Sequence, residues 1–82
     1  PVILVDGLRL GCLNHAQLSA RAIAADGCVL VGWIGSVIDP AMLARDDNLA
    51  TLRQRLPAPC LGVLPWAPGA GPATLAAHLR LP

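Results

Sequence analysis

The chain has no lysine and no glutamate: its six cationic residues are all arginine and its five acids are all aspartate. A phosphoryl-transfer centre normally sets a lysine against the phosphates and carboxylates around magnesium. Without lysine, this chain cannot assemble such a centre by itself. Tyrosine and phenylalanine are also missing, two tryptophans are the only aromatics, and charged residues make up 13% of the chain. With a formal net charge of +1 and no basic stripe, nucleic acid is not an expected partner. The three cysteines, Cys12, Cys28 and Cys60, are odd in number and none stands in Cys-x-x-Cys spacing. His15 and His78 lie far apart in the chain, so no metal site is expected. The thiols are read as reduced, with Cys28 and Cys60 as small core residues. The longest apolar stretch, CVLVGWIGSVI, falls far short of the ~20 residues of a membrane-spanning helix. No positive leader precedes the first apolar run, so no signal peptide is read and a cytoplasmic chain is expected.

What is present alternates. Val2–Val5 is a continuous apolar run, the mark of a strand buried on both faces, and Asp6-Gly7 reads as its end. Asn14 with Gln17 three residues on has the form of a capping box, so a helix is expected to begin near Asn14. Leu13, Ala16, Ala20, Ile23 and Ala24 continue at helical spacing, and Gly27 suits the helix stop. Val29–Ile34 is a second apolar strand. Asp39-Pro40 reads as a helix start. Met42 or Leu43, then Leu49, Leu52 and Leu56, mark the buried side of that helix, with Asp46, Asp47 and Asn48 on the wet side. Cys60–Leu64 is a third strand, and Pro72 can open a last short helix through Leu79. The order β-α-β-α-β-α implies an α/β fold with a parallel sheet. Few helices and three wholly apolar strands leave one sheet face to be buried against something else, either a missing half-domain or a second subunit.

Ligands of open parallel sheets bind beyond the carboxyl ends of the strands. Here those ends are Asp6–Asn14, Gly35–Asp39 and Pro65–Gly71. The first leads through GLRLGCLNHA, a glycine-bracketed turn entering a helix N-terminus, which presents free N–H groups and the positive end of a dipole to an anion. It lacks the spacing of the phosphate-loop or dinucleotide motifs, so a plain tight turn remains the alternative. Asp6 suits a metal carboxylate or Asp-Gly turn chemistry, and His15 a site residue or a solvated side chain. Trp33 reads as core. Trp66 reads as cover or as a wall for a flat ligand, and Ser36 as a turn serine or a hydrogen-bond donor. No nucleophile–base pair stands out, so no catalytic residue is assigned.

The segments PVILVDGLRLGCLNHAQLSARAI, VLVGWIGSVIDPAM and NLATLRQRLPAPCLGVLPW follow one another as in the dethiobiotin synthetase family, which the chain resembles from Pro1 to about Trp66. The resemblance implies a P-loop NTPase-like fold, with residues 1–82 as the C-terminal part of the domain and the N-terminal phosphate-binding half absent. It implies a homodimer that uses ATP, Mg²⁺ and CO₂ to close a ureido ring on 7,8-diaminononanoate in biotin synthesis. The lysines and magnesium carboxylates of that chemistry belong to the absent half. On the same ground, Arg9, Gly11, Cys12, Leu13 and Asn14 match the turn that holds the substrate's carboxylate for a neighbouring subunit. Ser36, Val37, Pro65, Trp66 and Ala67 match the adenine site. Ser36 stands where the family has an asparagine, Val37 where it has a polar residue, and Asp6 where it usually has an apolar one. The alternative is a non-catalytic α/β remnant that only self-associates or caps a partner.

Overall fold

A computed structural model describes residues 1–9, 11–38 and 45–80. The elements run β1 (Val2–Leu8), α1 (Cys12–Ala25), β2 (Leu30–Val37), α2 (Arg45–Arg55), β3 (Cys60–Leu64) and α3 (Pro72–Ala76). The three strands are parallel and stand in the order β1-β2-β3. The α/β architecture is therefore as expected. The helix start at Asp39-Pro40 and the apolar positions Met42 and Leu43 lie outside the described residues.

Both outer strand ends differ from expectation. β1 continues through Asp6 and Gly7 to Leu8, and β2 continues through Gly35 and Ser36 to Val37. The cause is non-local. Asp6, Gly7 and Leu8 stand in register with Gly35, Ser36 and Val37, so each segment's ladder holds the other extended.

Register also decides which residues share a face. Leu4 stands beside Trp33, and Leu8 beside Val37. Trp33 stands beside Cys60, and Gly35 beside Val63. On this face sits the core: Leu8, Trp33 and Val37 from the sheet, Cys12, Ala16 and Ala20 from α1, and Leu49, Leu52 and Leu56 from or just after α2. Both long helices thus cover the same side of the sheet. α2 places Asp46 and Asp47 in its first turn and Arg53 and Arg55 in its last, complementing the helix dipole at both ends.

The opposite face is less covered. Ile34 and Leu61 are buried, but Ile3 and Val5 are 40% and 58% exposed. The second face of β1 is therefore left open within this chain, in line with the expectation that its few helices cannot cover both sheet faces. The outer edge of β3 is closed by the returning chain: Leu79 pairs antiparallel with Gly62, and the Arg80 N–H donates to the Leu61 carbonyl at 2.7 Å. Among the described residues, nothing pairs with the outer edge of β1.

α1 stops where the sequence placed its end. Gly27 has φ +77, which costs glycine nothing, and the Gly27 and Cys28 N–H groups donate to the carbonyls of Ala24 and Ile23. That pair of bonds is a Schellman stop.

Candidate functional site

The turn between β1 and α1 is built around Gly11, the N-cap residue, at φ 89 and ψ 0. No side chain caps the helix. Asn14 is therefore a residue of the first turn and not its cap, and the expected capping box with Gln17 does not form. The correction follows from the longer β1. With the strand reaching Leu8, the chain must reverse direction by Gly11, and a left-handed residue does so where Asn14 would come too late. The Cys12 N–H donates to the Arg9 carbonyl at 3.0 Å, and the His15 N–H to the Gly11 carbonyl at 3.2 Å. Cys12 is buried in the core and Leu13 packs against its margin, so both hold the turn from beneath. Arg9, Gly11, Asn14 and His15 are exposed. The outer surface of the turn therefore offers a guanidinium, a carboxamide and an imidazole around the positive end of a helix.

A Cβ on Gly11 would touch nothing within 4 Å, so its substitution is a test of backbone conformation alone. Gly11→Ala is expected to destabilise the fold by about 1 kcal/mol, the left-handed penalty of an L-residue. A chemical-denaturation midpoint that does not fall would contradict the assigned cap.

The electrostatics of the turn oppose a nucleophilic role for its cysteine. The backbone amides of Arg9, Cys12 and Leu13 favour a thiolate, as a helix N-terminus does. Burial pushes the other way and is the larger effect, and the Asp6 carboxylate adds to it, so the Cys12 thiol is raised above its ordinary value. Asp6 is only 6% exposed, and its Oδ2 has no hydrogen-bond partner. Burial raises its carboxyl above the usual range, while His15 and Arg9 act against that rise. Asp6, Arg9 and His15 line a cleft of about 480 Å³ along the open edge of β1, with Leu18, Ser19 and Ile38 on its walls.

The residues matched to a nucleotide base fall into two groups. Val37, Pro65 and Trp66 line one depression of about 450 Å³, together with Leu49, Val63 and the charged Arg45 and Asp46. Trp66 is 52% exposed there, a flat wall open to a ligand. Ser36 precedes Val37 in β2 and so points to the other face of the sheet, beside Gly7 and Leu64. Ala67 is half-buried, and its carbonyl accepts from the Ala70 N–H at 3.0 Å in the following turn. Neither Ser36 nor Ala67 lines the depression. Asp46 escaped the sequence reading because its charge looked like part of an ordinary wet helix face, and Arg45 carried no motif that would single it out. Among the described residues, no three His, Cys or Asp side chains gather in a way that could hold a metal ion. No described helix is long and apolar enough to cross a membrane.

No protein-family model matches the chain. Curated relatives do. The chain is 61% identical over 82 residues to the ATP-dependent dethiobiotin synthetase BioD of Aromatoleum aromaticum, covering 100% of this chain and 36% of the relative. It is 59% identical over 81 residues to the same-named protein of Pseudomonas paraeruginosa, covering 99% of this chain and 36% of that one. The Xanthomonas campestris protein of that name is 56% identical over 82 residues, with 100% of this chain and 37% of the relative covered. The chain thus spans little more than a third of the length of these relatives and matches their C-terminal portion. With such identity running from end to end, the chain belongs to the dethiobiotin synthetase family and corresponds to its C-terminal portion.

Proposed function

We propose that this chain is the substrate-tail and base-binding segment of a P-loop NTPase-like dethiobiotin synthetase. In that enzyme ATP, Mg²⁺ and CO₂ serve ureido ring closure on 7,8-diaminononanoate. The observation that carries the reading is the Gly11 turn: a left-handed glycine opens α1 without any side-chain cap, and Arg9 and Asn14 flank it in solvent. A helix end left uncapped, with a cation beside it, suits a ligand carboxylate. Gly11, Cys12, Leu13 and Asn14 form the cradle and Arg9 adds attraction. Val37, Pro65 and Trp66 offer a flat, partly apolar wall that fits an adenine ring, with Asp46 and Arg45 at its rim. Ser36 and Ala67 are proposed to approach the base from outside that depression.

ATP supplies the phosphoryl group that activates the carbamate when bound. The described residues of this chain offer neither a lysine for its phosphates nor a set of metal ligands. Those parts belong to the remaining length of the family. The half-exposed Ile3 and Val5 and the open edge of β1 are the surface against which that remainder, or a second subunit, would pack.

The test is calorimetric titration of 7,8-diaminononanoate into the chain, alone and mixed with the N-terminal remainder of the Aromatoleum relative. Heat of binding is expected in the mixture, and its absence in both samples would refute the anchoring role. Asn14→Ala sharpens the test. Because Asn14 does not cap α1, its removal is expected to shift stability by less than about 0.5 kcal/mol, as for an exposed site. Affinity for the substrate should nevertheless fall. Equal affinity in the two proteins would remove Asn14 from the cradle.

A further inference from the structure

We propose that Asp6 is a specificity-determining residue of the carboxylate anchor, which grips a ligand carboxylate while Asp6 is protonated and loosens when Asp6 ionises. The proposal rests on the anchoring reading above and adds a proton to it. Its ground is geometric. Asp6 is 94% buried by its 6% exposure, Oδ2 has no partner, and it shares a cleft with Arg9 and His15 of the turn. A buried carboxyl with an unmade hydrogen bond resists ionisation, and burial does push this one up.

The groups that face Asp6 are few. The β1–α1 turn contributes Arg9, and the first turn of α1 contributes Cys12 and His15. β2 contributes only Gly35 in register, with no side chain. Arg9 and His15 favour the anion and are exposed, so solvent weakens their attraction. When Asp6 does ionise, its charge lies close enough to raise the Cys12 thiol at the first helical position. The same charge repels a ligand carboxylate held at that turn. Where an apolar residue precedes Gly7, no such dependence on protons would arise from this position.

The experiment uses nonanoate, a carboxylate without amines, as the probe. Amide chemical shifts of Leu13 and Asn14 are followed in the ¹⁵N-labelled chain, alone and reconstituted with the N-terminal remainder of the Aromatoleum relative. The pH runs from below 3.8, the carboxyl's ordinary value, up to 8.5, with correction for the ligand's own ionisation. Affinity is expected to fall roughly tenfold in the parent as Asp6 passes from protonated to ionised. Asp6→Asn, which keeps the shape and removes the charge, should bind roughly tenfold tighter than the parent at pH 8.5 and lose that part of the pH slope. A His15→Gln variant removes the imidazole's attraction for Asp6, and the Asp6-dependent slope should persist in it. Equal slopes and equal affinities in the parent and in Asp6→Asn would overturn the gate and leave the anchor standing. No shift at Leu13 or Asn14 in any variant at any pH would overturn the anchor and the gate together.

Discussion

Trp33→Ala is expected to cost about 3–5 kcal/mol, the usual loss for emptying a buried tryptophan site. Trp33 is 0% exposed and sits in the middle strand. Its neighbours in register are Leu4 on one side and Cys60 on the other, and both helices pack into its cluster. No single remaining residue can move into the gap, because the sheet fixes the floor and two helices fix the roof. A chain of this length has a total stability of only about 4–12 kcal/mol. The loss is therefore a large share of the whole. Urea denaturation followed by far-ultraviolet circular dichroism reads it as a lower midpoint at an unchanged slope. Trp33→Phe is the control. The indole Nε1 has no hydrogen-bond partner, so phenylalanine gives up an unmet donor along with some volume. It should cost far less than alanine. A near-equal loss for both variants would contradict a cost that scales with the buried volume removed.

How far the sequence could be read depends on whether the deciding force was local. β3 begins at Cys60 and ends at Leu64 as expected, because prolines bracket a short apolar run. Leu49, Leu52 and Leu56 are buried as their spacing requires, and Gly27 stops α1. α3 starts at Pro72 but ends at Ala76, short of the expected Leu79. There the chain leaves the helix to pair Leu79 with Gly62, a contact that no local pattern announces. The turn itself was half legible. The glycines and the helix start placed a strand-to-helix turn here, yet Gly11 holds the cap and Asn14 does not. Only the pairing of Asp6–Leu8 with Gly35–Val37 settles that difference. The same pairing splits Ser36 from Val37, which a loop would have let turn together. Asp6 was the least legible residue. Asp-Gly reads as a turn in any window of sequence, and burial of the carboxylate depends on a helix and a strand that lie elsewhere in the chain.

Asp6→Val is accordingly expected to stabilise the fold, by about 1–3 kcal/mol at neutral pH, the range found for buried polar groups left without a hydrogen bond. The pH dependence has a definite sign. In the unfolded chain the carboxyl ionises around its ordinary value of 3.8, and in the folded chain that value is raised. Between the two values the unfolded chain holds fewer protons than the folded one. Stability from this group is then fully present below pH 3.8 and is lost as pH rises through the folded value. Above the folded value the loss is complete and constant. The difference in stability between Asp6→Val and the parent should therefore be smallest near pH 3.8 and grow to a plateau as pH rises. Comparing the two proteins, rather than following the parent alone, cancels the contributions of every other group that both proteins share. Arg9 and His15 reduce the gain, since valine gives up their attraction. A variant less stable than the parent at neutral pH would show that these two cations outweigh burial, and Asp6 would then be a stabilising ion at the turn. A gain that grows with pH would identify Asp6 as a buried charge retained at a cost in stability. Such a cost is what a charge stationed beside a ligand-binding turn would carry.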